Sequence, residues 1–243
     1  MKHTETSTTS YRPQLTLPRQ AHTAEGPHDQ TGMYVMHHAL RRDFARFVSA
    51  VESTPVAEHD VWIALERRWV AMADVLHHHH SAEDAELWPL LQRHAEAAGD
   101  EADLQVLADM EDEHADIDPA LAHVRDAFAA MSRHPCIDHR NALEIRLGAA
   151  HELLLAHLAH EEKHALPMLQ RTLSQEENAA FEKAVEKHYP LRLMPFTLPW
   201  VMDEIPADAR ERLLESTPPG YGLLLRIFRR RYQRGERLAF RFA

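Results

Sequence analysis

From about Thr31 to about Leu173 apolar residues recur in steps of three and four, the period of one buried face of an α-helix. Four segments follow from this spacing. The first, about 30–52, carries Met33, Leu40, Phe44, Phe47 and Val51 on one stripe. The second, about 59–97, carries Trp62, Leu65, Trp69, Met72, Leu76, Leu87 and Leu90. The third, about 101–132, has Leu104, Leu107, Leu121, Phe128 and Met131, and the fourth, about 138–173, has Leu143, Leu147, Ala150, Leu154 and Met168. Pro55, the Gly99–Asp100 pair and Pro135 mark the breaks. Short loops between long amphipathic helices favour antiparallel neighbours, so the expected fold is all-α, an up-down-up-down four-helix bundle.

Each stripe is interrupted near its middle by polar residues: His37 in the first segment, His79 with Glu83 in the second, His114 in the third, His157 with Glu161 in the fourth. Unpaired groups of that polarity are costly to bury. Two of the interruptions repeat one phrase, HHHSAEDAELWPLL at 78–91 and AHLAHEEKHALPML at 156–169. Aligned on Pro89 and Pro167, His79 falls on His157 and Glu83 on Glu161. Residues four apart stack one turn above the other on a helix face, so each pair presents an imidazole and a carboxylate together. Counting from the turns puts His79, Glu83, His114 and His157 in one layer; His37 fits least well, off by about five residues, roughly 7 to 8 Å at helical rise.

The expected site is therefore six side chains, His37, His79, Glu83, His114, His157 and Glu161, acting as metal ligands. Nitrogen and oxygen donors without sulfur suit two non-haem iron ions, with manganese or zinc as alternatives, sharing an oxo or hydroxo bridge and keeping open positions. Of the other histidines in the run, His77, His78 and His80 are expected to face solvent or neighbouring helices. His160 is expected behind the ligands, and His164 and Asp118 are on faces that would let either add a ligand. A ferritin-like arrangement of Glu-x-x-His pairs is the rival, because Glu111–His114 and Glu161–His164 have that spacing. It fits less well: no acid lies within a turn of His37 on its face, and His79 would be unused.

The phrases MHHALRRDF (36–44), HHHSAEDAELWPLL, EDEHADID (111–118) and HLAHEEKHALPML (157–169) resemble the hemerythrin-like family of HHE cation-binding domains, over about 31–173. The resemblance implies a non-haem di-iron centre in a four-helix bundle, with the same six residues as ligands. Two departures stand out from the family's oxygen-carrying branch. There the third helix supplies two histidines four apart, whereas here His114 is followed by Asp118; there the last helix has Asp five residues after His, whereas here Glu161 is at plus four and Glu162 at plus five. Fewer imidazoles would leave one metal more open or recruit Asp118, against simple reversible oxygen carriage.

Outside this region, residues 1–28 are rich in Thr, Ser, Pro, Gln and His and are expected as a flexible leader. With residues 29–173 as the bundle, 174–243 form a helical extension packed on it. Ser174 with Glu177 makes a capping box that opens a helix over about 175–188. Phe196, Leu198, Trp200, Val201 and Met202 are expected to cover the bundle, with a dimer interface or a gate to the metal as the alternatives. The last stretch, 221–243, holds seven arginines against one glutamate, leaving −17 on the rest of a chain whose formal net charge is −11. Such a helix docks on an acidic domain or, as a lesser expectation, lies on an anionic membrane surface.

Composition narrows the function. The acidic balance argues against nucleic-acid partners. The single cysteine, Cys136, excludes an intrachain disulfide and a thiolate metal cluster. The first residues lack the apolar core of a signal peptide, and the chain has no apolar run of spanning length, so a soluble cytoplasmic protein is expected. No nucleophile triad or phosphate loop is present, and no catalytic residue is assigned. The expected partner is a small diatomic or peroxide, O2, NO or H2O2, bound or turned over at the metal. The alternatives are a non-enzymatic oxygen or iron sensor or iron reservoir that signals through the extension, and a helical interaction domain with a vestigial site. Oligomeric state stays open.

Overall fold

The computed structural model describes residues 11–215, 217 and 220–243. Among them the chain is all-helical, without a strand. Helix α1 is Thr31–Ser53, opened by Asp29, whose carboxylate accepts the Thr31 N–H at 2.9 Å. Helix α2, His59–Ala82, runs through a π-helical turn, Glu83–Leu87, into α3, Trp88–Ala98. Gly99 stops α3 in the left-handed region at φ 67°, which a residue without Cβ adopts at little cost. Asp100 then caps α4, Glu101–Arg133, by accepting the N–H groups of Ala102 and Asp103. Helix α5, Ile137–His160, repeats the device of α2: a π-helical turn, Glu161–Ala165, leads into α6, Leu166–Thr172.

Sequence periodicity does not anticipate these two π-helical turns. Each begins at a glutamate expected in the site and ends just before a proline-bearing turn. In each, the residue before the proline donates to the glutamate carbonyl five residues back: Trp88 to Glu83, Leu166 to Glu161. Proline has no N–H to continue the ordinary ladder, and the wider turn absorbs one residue. The buried stripe shifts accordingly. Leu91 is fully buried while Leu90, expected on the stripe, is only half-buried; His164, expected on the fourth stripe, is exposed.

Two apolar blocks enclose the polar layer. One contains Leu40, Phe44, Phe47, Trp69, Leu76, Ile117, Phe128 and Leu154. The other contains Leu87, Trp88, Leu91, Leu107, Met110, Ala165 and Leu169. Helix α4 packs on α5 and α2, and α1 packs on α5.

The remainder of the chain is tied to this core. Ser174 and Glu177 form the expected capping box at the start of α7, Gln175–Val185. Helices α8, Met194–Val201, α9, Ala207–Glu215, and α10, Tyr221–Ala239, follow, and α10 packs on α2 and α8. An ion network fixes the contact. Asp43, fully buried, pairs with Arg42 and Arg68 and accepts the Trp200 indole N–H at 2.8 Å, while Arg68 also pairs with Glu236 of α10. Burial alone would raise the Asp43 pKa, but the two guanidinium groups hold it below the usual carboxylate range.

The leader expected over 1–28 lies outside the described residues as far as position 10. For 11–28 the structure differs from that expectation. Leu15, Leu17 and Ala24 are buried with Tyr34, Val35, Leu166, Met202 and Ile205, and Gln14 donates to the carbonyls of Gly26 and His28. Its polar composition hides the few apolar side chains that anchor it. Among the described residues no helix is long and apolar enough to cross a membrane.

Candidate metal centre

The four interruptions of the stripes meet. His37, His79 and Glu161 form one buried group of donor atoms, and His80, Glu83, His114 and His157 form a second. His37 Nε2 lies 3.1 Å from Glu161 Oε2. Glu83 reaches toward both groups: Oε1 is 3.3 Å from His79 Nε2 and Oε2 is 3.7 Å from His114 Nε2. The two groups touch again where His114 and His157 bring their Nε2 atoms to 3.2 Å. The poor fit of His37 in the count from the turns disappears because α1 packs on α5, where Glu161 stands one turn beyond His157.

His80 is the residue that helical spacing missed. Expected to face solvent or a neighbouring helix, it is 2 % exposed, and its ring stacks on His114 with centroids 4.0 Å apart. Adjacent residues on an α-helix point about 100° apart, so His79 and His80 both reach the interior only because helices pack on two sides of α2. His80 therefore adds an imidazole where His114 has no companion four residues on. Asp118 does not: it is exposed and lies 3.7 Å from His77 on the surface. Glu111 and His164 are also exposed, so the ferritin-like pairs are not assembled.

Three carboxylates stand behind the inner residues. His37 Nδ1 is 2.9 Å from Glu162 Oε1, His114 Nδ1 is 2.6 Å from Asp84 Oδ1, and His157 Nδ1 is 2.8 Å from Glu113 Oε2. Each contact engages the outer ring nitrogen and turns Nε2 inward, the arrangement that orients histidine ligands at metal sites. Glu113 also holds His160 at 2.8 Å, on the outer side of His157. Glu162 is itself fixed by Arg41 at 2.6 Å and by the backbone N–H of Ala21 at 2.6 Å, so the N-terminal segment touches the support of the site. The sequence signal for these carboxylates was weak: each is one residue in an acidic helix face.

Electrostatics show what the cavity demands. Burial holds His79 down to about 3 and His80 well below the usual imidazole value, so both are neutral and keep nitrogen lone pairs. Burial also opposes charge on His37, yet Glu161 and Glu162 raise it to about 9. Burial and the Glu161 charge push Glu83 well above the ordinary carboxyl range, whereas His37 holds Glu161 low against the same burial. Two adjacent buried carboxylates are thus driven apart.

The inner atoms also lack ordinary partners. His37 Nε2, His79 Nε2, both nitrogens of His80 and both oxygens of Glu83 and Glu161 are buried without a hydrogen bond. Leaving one buried polar group unsatisfied costs about 1–3 kcal/mol, so a cluster of them facing one another is a poor packing solution. A cation fits this set: it accepts neutral nitrogens, lets both carboxylates ionise, and needs donors without hydrogens between them.

The fold and this site define a helical cation-binding protein. The family model of the hemerythrin HHE cation binding domain matches residues 31–169. The chain belongs to that family, whose match ends just short of α7. No curated protein and no solved structure matches the chain.

Proposed function

We propose that the chain binds two non-haem iron ions in its buried histidine and glutamate cluster and uses them to bind or turn over a small oxygen or nitrogen species, O2, NO or H2O2. The observation that carries this reading is the inward ring of buried nitrogen and oxygen atoms without hydrogen bonds, with carboxylates behind three of its histidines. His37, His79 and Glu161 would hold one ion, and His80, Glu83, His114 and His157 the other. Glu83, within 3.3 to 3.7 Å of a histidine from each group, would be the first choice to serve both ions, and Glu161 would be the second. Manganese and zinc are the other ions that this donor set admits.

When bound, iron supplies open positions and redox capacity. The protein's own residues do the rest. Glu162, Asp84 and Glu113 hold the imidazoles in the orientation that presents Nε2. Leu76, Trp88 and Met110, all fully buried around the polar layer, keep bulk water away. The core passes from the first apolar block to the second along α2 and α3, back along α4, and again from the first to the second along α5 and α6, which supports an up-down-up-down bundle over 29–173 with 174–243 as its extension. The absence of a spanning helix among the described residues fits a cytoplasmic protein.

The test is the elemental metal content of the chain isolated without added metal or chelator. About two irons per chain are expected from two donor groups; none, even after anaerobic ferrous reconstitution, overturns the reading.

One observation favours a sensor as the second reading. Asp43 lies on α1, as His37 does, and joins Arg68, which pairs with Glu236 of the extension. A shift of α1 on ligand binding would reach α10 through charged contacts. Catalytic consumption of peroxide or NO supports the enzyme; stoichiometric, reversible binding supports the sensor.

A further inference from the structure

A cleft of about 450 Å³ opens where α2, α8 and α10 meet, and it shares no residue with the metal centre. Its size is that of a small-ligand site. Four arginines line one part of it: Arg67 and Arg68 from α2, Arg231 from α10, and Arg192, which is paired with Asp74 at 2.8 Å. Apart from Tyr232 and Glu236 the rest is apolar, with Phe196 and Leu238 prominent.

Arg68 is the most informative of these residues. Its side chain is 6 % exposed, its Nε pairs with Glu236 and one Nη2 hydrogen with Asp43, and its guanidinium lies 4.7 Å over the Phe196 ring, yet its Nη1 is buried without a hydrogen bond. Buried guanidinium hydrogens are almost always satisfied, so this one calls for an acceptor. Glu236 also lines the cleft, but its carboxylate is committed to Arg68 and to Arg46 at 3.1 Å. Arg67 and Arg231 are exposed and form no ion pair among the described residues, so both are free to complete an anion clamp. Gly235, near the C-terminal end of α10, leaves the floor open: a Cβ there would meet nothing within 4 Å.

We infer that this cleft binds a small organic anion, with a carboxylate or phosphate head on Arg67, Arg68 and Arg231 and an apolar body against Phe196 and Leu238. The arginines give the head charge-assisted hydrogen bonds, and the apolar wall makes a bare inorganic ion the weaker ligand. The inference is independent of what the metal centre does.

Calorimetric titration of the full chain with octanoate, 1-octanol and inorganic phosphate tests it. Octanoate is expected to bind with about one site per chain and at least tenfold more tightly than either control. Replacing both Arg67 and Arg231 by Ala is expected to weaken octanoate at least tenfold, about 1.4 kcal/mol, without change in the octanol titration. Gly235→Phe is expected to remove octanoate binding by filling the cleft. All of these positions are exposed, and unchanged far-UV circular dichroism and metal content show that the variants fold. The inference is overturned if octanoate does not bind at millimolar concentration, if either control matches it, or if folded variants bind it as the parent does.

Discussion

Asp84 Oδ1 lies 2.6 Å from His114 Nδ1, and the same ring turns its Nε2 toward Glu83 and His157. Asp84 is half-exposed and stands on the first residue after Glu83, inside the π-helical turn. The wide turn thus delivers two adjacent carboxylates to opposite sides of one imidazole. Replacing Asp84 by Ala, or Glu113 behind His157, is expected to keep the helices and lower metal affinity about 10- to 100-fold, the usual effect of losing such a support. Competition against a calibrated chelator measures this. Unchanged affinity in both variants would mean that the outer carboxylates only solvate the histidines.

His80 and Asp118 give opposite expectations for the missing imidazole of the third helix. His80→Ala is expected to lose about one metal per chain, since it removes one donor from a four-residue group. Asp118→Ala is expected to change nothing, because Asp118 is exposed and meets only His77 at 3.7 Å. Metal content of the two variants, measured side by side, decides between them. Full occupancy in His80→Ala would restore the six-residue site read from spacing.

Spacing exposed the six core-facing residues because a histidine or glutamate in an apolar stripe is conspicuous in any helix. His80 was hidden by the same logic: a residue beside His79 points away from the stripe, and only packing on a second side of α2 buries it. The π-helical turns were hidden because Pro89 and Pro167 look like ordinary first-turn prolines, yet those turns rotate His164 to the surface and bury Leu91. The repeat singles out Glu161 and gives Glu162 no role; the turn's geometry sends the first inward and the second to His37 Nδ1. Most hidden was the packing of 11–28, where isolated apolar residues in polar surroundings carry no period.

The Asp43 network should behave as a single unit. Removing one member of a buried ion cluster leaves an uncompensated charge, typically a loss of 3–5 kcal/mol. Arg68→Met is therefore expected to destabilise the chain by about that much, since it leaves buried Asp43 with Arg42 as its one guanidinium partner and Glu236 with Arg46. Thermal unfolding with metal bound is the measurement. A change below about 1 kcal/mol, typical of a surface ion pair, would show that the network is solvated.

The same network sets an acid limit. The carboxyl group of Asp43 is held low in the fold, with Arg42 and Arg68 against it and Tyr232 and Glu236 of α10 nearby. A depressed folded pKa contributes stability that is fully present above the unfolded value of about 3.9 and is lost as pH falls through the folded value. Docking of α10 is expected to hold from neutrality down to that range and fail below it. An Asp43→Asn variant should lack this acid step. The intrinsic fluorescence of Trp200, whose indole donates to Asp43, reports the change.

Gly26 tests whether the N-terminal segment is part of the site. A Cβ there would lie 2.2 Å from Gln170 Oε1 and 2.7 Å from Gln170 Cβ. Gln170 cannot swing aside cheaply, because its amide accepts the His28 N–H at 3.0 Å and donates to the His28 carbonyl at 2.7 Å. Gly26→Ala should therefore push the segment off α6, at a cost of about 1–3 kcal/mol for the overpacking. The Ala21 N–H would then leave Glu162, the carboxylate behind His37. Amide hydrogen exchange is expected to speed up at Ala21 and Ala24 and to stay slow at Phe128 in the core. Gly32→Ala, where a Cβ meets nothing within 4 Å, is the control and should leave both alone. Slow exchange at Ala21 in the Gly26 variant would show that the segment holds its place without this contact.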